Sequence, residues 1–255
     1  MIITFLGTGT STGVPEIGCK CEVCTSTNPK DNRLRSSVLI NIDNTNLLID
    51  CGPDFRLQML SQKFKKIDGV LVTHEHYDHV GGMDDLRPFC RFGDVNIYGE
   101  NHVLESLMSR IPYCFVENKY PGTPNLTLNE IDENSFEING ITITPIRLMH
   151  NLLPILGFRI GNFAYLTDLK TIPESEFFKL EGLDILVMNA LRIEEHLSHQ
   201  TLSEALINVK KIAPKRAFFT HIAHQLGLHD KVQKSLPENI FLAYDKLVVE
   251  TEYQP

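Results

Sequence analysis

An α+β sandwich, two sheets face to face with helices outside, is the fold class that this 255-residue sequence predicts. Two hairpin signals carry the expectation. β-rich runs meet across Asn139-Gly140 in "FEINGITITPIRL" and across Gly161-Asn162 in "LGFRIGNFAYLTD", and dipeptides of this kind close tight antiparallel turns. Hairpin-rich blocks mixed with helices fit a two-sheet sandwich better than a doubly wound parallel sheet. No repeat, low-complexity tract or linker interrupts the chain, so residues 1–255 read as a single domain.

The elements follow in order. Residues 2–6, 36–41 and 46–50 are apolar, partly β-branched runs separated by Gly, Asn and Asp, and read as strands. A second group covers 67–73 and 94–98. Helical patterning covers 101–110 and, more weakly, 55–65. After the two hairpins come a strand at 184–189, a helix at 201–212 and a strand at 215–220. The helix opens on the possible capping box Thr201-x-x-Glu204. A short helical segment is expected at the end.

The net charge of −8 and pI near 5.7 argue against a protein that coats nucleic acid, which normally presents a basic field. A small phosphorylated substrate is still compatible, because a bound metal supplies local positive charge. The first residues, "MIITFLGTGTSTG", carry no basic stretch of a secretory signal. No apolar run reaches the roughly 18 residues of a membrane span. A cytoplasmic location with reduced thiols is therefore expected. Cys51, Cys90 and Cys114 are scattered and read as structural thiols. Cys19, Cys21 and Cys24 differ: their C-x-C-x2-C spacing lets three thiolates converge on one ion, for which zinc is favoured over a redox pair. A tetrahedral site still lacks one ligand.

The heptapeptide "THEHYDH" at 73–79 places His74, His76, Asp78 and His79 just beyond an apolar strand. Three imidazoles and a carboxylate so close together make poor core residues, since each polar atom needs a buried partner. They suit two adjacent metal sites. Further ligand types end later strands: His150 closes "ITITPIRLMH", Asp168 closes "FAYLTD" and His221 closes "KRAFFTH".

H-x-H-x-D-H after a strand, followed by His, Asp and His at later strand ends, resembles the metallo-β-lactamase fold hydrolases, from "FLGTGTSTGVP" and "NLLIDCG" onward. The resemblance implies a four-layer αβ/βα sandwich with a dinuclear centre. His74, His76 and His150 would hold one ion, Asp78, His79 and His221 the other, and Asp168 would bridge them. Asp50 would support the ligand loop without binding metal. The pairing of "GVPEIGCKCEVC" with "THIAHQ" further resembles the phosphoribosyl 1,2-cyclic phosphate phosphodiesterases and their relatives. That branch implies a closed structural zinc on Cys19, Cys21, Cys24 and His224, within an N-terminal loop at about 18–35, and a catalytic histidine at His199 in "HLSHQT". His196 fits a surface role.

The function implied is hydrolysis of a small cyclic or nucleotide-like phosphodiester. Hydroxide shared by two divalent ions, Zn or Mn, would attack phosphorus, Asp78 would serve the reaction through its metal, and His199 would protonate the leaving group. A PQQ-biosynthesis-type protein, a tRNA 3′-end processing enzyme and a lactone or thioester hydrolase are the alternatives. "GTGTSTG" lacks the lysine of a P-loop. The expected partner is a small phosphorylated substrate, not a membrane or nucleic acid, and a homodimer is compatible with the sequence.

Overall fold

The computed structural model describes residues 1–254. The first half of the chain forms β1 (Ile2–Gly7), β2 (Ser37–Ile42), β3 (Thr45–Ile49), α1 (Phe55–Met59), β4 (Gly69–Leu71), α2 (Tyr77–Val80), β5 (Val95–Gly99), α3 (Asn101–Arg110) and β6 (Leu126–Glu130). The second half forms β7 (Phe136–Ile138), β8 (Ile141–His150), β9 (Leu153–Ile160), β10 (Phe163–Leu166), β11 (Ile185–Asn189), α4 (Leu202–Ile212), β12 (Arg216–Thr220), α5 (His229–Gln233), β13 (Ile240–Leu242) and β14 (Val248–Glu250).

Two seven-stranded sheets result, ordered β14-β1-β2-β3-β4-β5-β6 and β13-β12-β11-β10-β9-β8-β7. Each begins with antiparallel pairing and continues in parallel: β1 through β3, then β4 to β6, in one; β7 through β10, then β11 to β13, in the other. Among the described residues only β14 crosses between halves, setting Glu250 opposite Ile2 at the edge of the first sheet. The hairpin at Asn139-Gly140 has both residues at positive φ, 52° and 77°. That is the backbone a two-residue turn needs to match strand twist.

Period-2 alternation sorts the core into layers. Ile3 and Phe5 of β1, Phe163 and Tyr165 of β10, and Phe218 of β12 fill the space between the sheets. The alternate residues, such as Leu48 and Val70 on one sheet or Leu166 and Phe219 on the other, pack outward under the helical layers. The αβ/βα sandwich is thus present. The capping box forms as expected, with Thr201 and Glu204 bonding reciprocally.

Several boundaries differ from expectation. The helix expected at 55–65 is only Phe55–Met59, and the strand expected at 67–73 pairs only over Gly69–Leu71. The C-terminal segment holds α5, but also β13 and β14, strands of three residues each. Such strands are too short to show a periodicity, and tertiary pairing alone makes them. Among the described residues no helix is long and apolar enough to cross a membrane.

Candidate metal centres

The ligand-bearing residues sit where strands give way to loops, and the backbone there is bent into unusual shapes. Asp50 and His221 directly follow β3 and β12, and Asp168 follows β10 after one intervening residue, with φ of 62°, 53° and 59° in turn. Left-handed backbone costs a non-glycine residue about 1–2 kcal/mol, and such strain clusters where it aims side chains at a site. Gly52 is required for closeness: a Cβ there would overlap the Asp78 carbonyl oxygen. The Asp50 loop therefore lies hard against the loop that carries the histidines.

Three overlapping groups result. His74, His76 and His150 bring nitrogens together in one, Asp78, His79, Asp168 and His221 converge in a second, and His150 and Asp168 also lie within ligand reach of His199. His74 Nε2 is 3.0 Å from His76 Nδ1. Asp168 lies between the first two groups. Its Oδ2 is 3.2 Å from His221 Nε2 and 3.8 Å from His74 Nε2, and its Oδ1 is 3.3 Å from His79 Nε2. His76 alone of these is exposed, so the cluster opens to solvent on its side.

Surrounding groups fix the rings. Asp50 accepts from His79 Nδ1 at 2.7 Å and from the Thr73 amide at 2.9 Å, which turns His79 Nε2 toward Asp78 and Asp168. His150 Nδ1 donates to the carbonyls of Asp168 and Ser198, at 2.7 and 2.9 Å, freeing Nε2. Thr167 Oγ1 donates to Asp168 Oδ1 at 2.7 Å. Partners of this kind set tautomer and orientation in metal-ligating histidines.

The donor set fits divalent ions. His79 Nε2 is buried and makes no hydrogen bond, although two carboxylates lie near it. Burial, and then the neighbouring His79, drive His74 toward the neutral imidazole, the form with a free lone pair. Burial works against charge on Asp168 and Asp78 too. His221 and His79 around the first, and His79 and His221 around the second, still hold both ionised. At His79 burial is again outweighed, by Asp168, Asp78 and Asp50, which pull its titration up. The pocket thus demands positive charge, and cations among imidazole and carboxylate donors meet that demand.

His199 lies in the loop just before the Thr201 cap. It is buried, and its ring centroid lies 4.6 Å from His150 and 4.9 Å from His221. Its Nδ1 has no partner and stands 4.0 Å from Asp168 Oδ2. Burial pushes its pKa down to about 2, against the pull of Asp168. His196 is half-buried, with Nδ1 accepting from the Ser198 amide at 3.3 Å.

The cysteine loop meets the fourth candidate ligand across a span of some two hundred residues. His224 Nδ1 is 3.2 Å from Cys21 Sγ and 3.7 Å from Cys19 Sγ, and Cys24 completes the group. A hydrogen bond from the Cys24 amide to the Cys21 sulfur lowers that thiol to about 6, whereas burial raises Cys24 to about 12. Sulfurs this close do not all ionise without a cation among them, so the set fits zinc. The segment after β1, ahead of the cysteine loop, reaches the other cluster: Thr8 O accepts from the Ile222 amide and Thr10 N donates to Ile222 O, straddling the residue after His221.

The sequence reading missed two residues. Thr73, next to His74, bonds both Asp50 and His74 Nδ1, and its place at the head of the histidine loop is a usable signal. Glu16 lies 2.9 Å from His224 Nε2, and nothing in its sequence surroundings marks it.

A family model described as "Beta-lactamase superfamily domain" matches residues 45–222. A Porphyromonas gingivalis protein named octanoyltransferase is 45% identical over 245 residues, covering 95% of this chain and 50% of its own length. The chain spans about half the length of the curated relatives it matches. The crystal structure of a diphosphatase of the PhnP family superposes with a TM-score of 0.93 at 38% identity, over 99% of this chain and 98% of that one. Zinc-bound PqqB from Methylobacterium extorquens shares the fold, with a TM-score of 0.82 at 18% identity over 98% of this chain and all of its own. The strand-end ligands, the two-sheet sandwich and the matched family model agree, and the chain belongs to the beta-lactamase superfamily, as a PhnP-like protein of the metallo-β-lactamase fold.

Proposed function

We propose that this protein is a metal-dependent hydrolase that cleaves a phosphodiester or diphosphate bond in a small, nucleotide-like or cyclic phosphorylated substrate. The observation that carries the reading is the place of Asp168 between the two groups, its Oδ2 3.2 Å from His221 Nε2 and 3.8 Å from His74 Nε2, beside a face left open at His76. His74, His76 and His150 would hold one divalent ion, Asp78, His79 and His221 the second, with Asp168 shared. Bound there, such ions acidify water and neutralise charge on a phosphoryl group. The 38% identical diphosphatase supports a phosphoryl substrate.

The chain's own residues do the rest. Asp50 and Thr73 hold the histidine loop in register. The carbonyls of Asp168 and Ser198 fix the His150 ring. His199, packed between His150 and His221, donates a proton to the leaving oxygen. Burial keeps its ring uncharged beforehand, and the anionic phosphoryl group of a bound substrate favours the imidazolium, so the ring takes up a proton from solvent as substrate binds and passes it to the leaving oxygen. Asp78 takes part only as a ligand that holds its ion beside the reacting group.

The test is a hydrolysis panel with protein loaded separately with Mn and with Zn. Cyclic phosphates, linear phosphodiesters, nucleoside diphosphate derivatives, a precursor tRNA, lactones and thioesters are compared at equal concentration. Turnover fastest on a small phosphorylated compound supports the reading. Preference for precursor tRNA, or for a lactone or thioester, overturns it.

A further inference from the structure

On the basis that Cys19, Cys21, Cys24 and His224 form a zinc site, we infer that Glu16 is its positioning residue, setting the tautomer of His224 and the strength with which zinc is held. Glu16 Oε2 lies 2.9 Å from His224 Nε2, while the Nδ1 of the same ring faces the sulfurs of Cys21 at 3.2 Å and Cys19 at 3.7 Å. A carboxylate only accepts, so Nε2 carries the ring proton and Nδ1 keeps its lone pair for the metal. Glu16 meets the cluster twice more. Its amide donates to Cys24 Sγ at 3.4 Å, and its carbonyl accepts from the Cys19 amide at 3.0 Å.

One residue thus ties the two ends of the site together: the backbone of Glu16 organises the thiolates, and its side chain organises a histidine 208 residues away. The Glu16 side chain is 41% exposed and that of His224 14%. Solvent weakens the charge attraction at such a position, so the directional hydrogen bond, more than the negative charge, does the positioning. The consequence reaches the catalytic face, because His224 lies three residues beyond His221 on the segment leaving β12.

The test compares wild type, Glu16→Ala, Glu16→Gln and Cys21→Ser, each loaded with zinc, in competition with a chromogenic chelator. A carboxylate hydrogen-bonded to a ligating histidine is worth about 10- to 100-fold in metal affinity, and Glu16→Ala should lose zinc by that factor. Glu16→Gln, whose amide oxygen accepts the same proton, should recover most of it. With cobalt in place of zinc, the sulfur-to-metal absorption band should shift in Glu16→Ala and stay in place in Glu16→Gln. Melting of the metal-free proteins should be alike, which separates ligand orientation from general folding.

Zinc retention and a cobalt spectrum unchanged in Glu16→Ala overturn the inference and leave the zinc site standing. Equal losses in both variants overturn the orienting role, since Gln keeps the hydrogen bond. A wild type that holds no more zinc than Cys21→Ser overturns the zinc site and the inference together.

Discussion

The two ligand clusters lie along one segment, at His221 and His224, yet they are built in opposite ways. The histidine–aspartate cluster is mounted on strand ends. Most of its members are buried, and Asp50, Thr73 and backbone carbonyls hold its rings from behind. The cysteine cluster sits on a half-exposed loop with almost no regular structure around it. In the first, the fold makes the site; in the second, on the proposed reading, a bound zinc would hold the loop. Four candidate ligands surround the cysteine set, the closed arrangement a structural zinc would need, while the first cluster opens at His76, as a reacting site would need.

That contrast breaks most visibly at Asp168. If Asp168 is shared as proposed, Asp168→Ala should abolish hydrolysis and lower the content of both catalytic ions, as read by elemental analysis. Loss of a single ion would mean that Asp168 is not shared. The Cys19→Ser/Cys21→Ser double variant should lose its zinc and melt at a markedly lower temperature, since metal-binding energy is folding energy at such sites. An unchanged melting temperature would remove the structural role.

His199 tests the open side of the reacting cluster. His199→Ala should keep its metals and lose about 10²–10⁴-fold in rate on an alkoxide leaving group, the usual worth of positioned proton transfer. The loss should shrink on bis(p-nitrophenyl) phosphate, whose leaving group needs no proton. Equal losses on both would assign His199 to charge stabilisation. Asp50→Asn should act more gently, about 10- to 100-fold, with most metal still bound, because it orients His79 without ligating.

The smallest effect concerns the anchoring of the cysteine loop. His229 accepts from the buried Arg33 guanidinium, 3.1 Å away, and its amide donates to Asp31. Burial, with Arg33 beside it, pushes its pKa from 6.5 to about 4. A histidine depressed by folding stabilises the fold above its unfolded pKa and loses that contribution as pH falls. The melting temperature should therefore decline between about pH 6.5 and pH 4. His229→Gln should flatten that decline, and an identical profile would show that His229 does not contribute.

Legibility in the sequence followed the same division. His74, His76, Asp78 and His79 announce themselves because ligand types crowd together directly after an apolar strand. His150, Asp168 and His221 do so because each ends a β-rich run. The hairpins were marked by Asn139-Gly140 and Gly161-Asn162. What escaped depends on contacts between distant segments. The bond of Glu16 to His224, a histidine the sequence did mark, spans 208 residues, and β13 and β14 are three-residue strands that exist only through their neighbours. The His199 loop showed its histidines but not the burial that surrounds them, since packing from β8 and β12 supplies it.

The most direct measurement of two distinct centres is the metal content of the wild-type protein before and after mild chelation, with activity followed in parallel. About three ions per chain are expected at the start, two at the open cluster and one at the closed one. Chelation should empty the open cluster and abolish hydrolysis while about one zinc per chain stays bound, and added Mn or Zn should restore turnover. Release of every ion in one step, or full activity after the open cluster has emptied, would contradict the account.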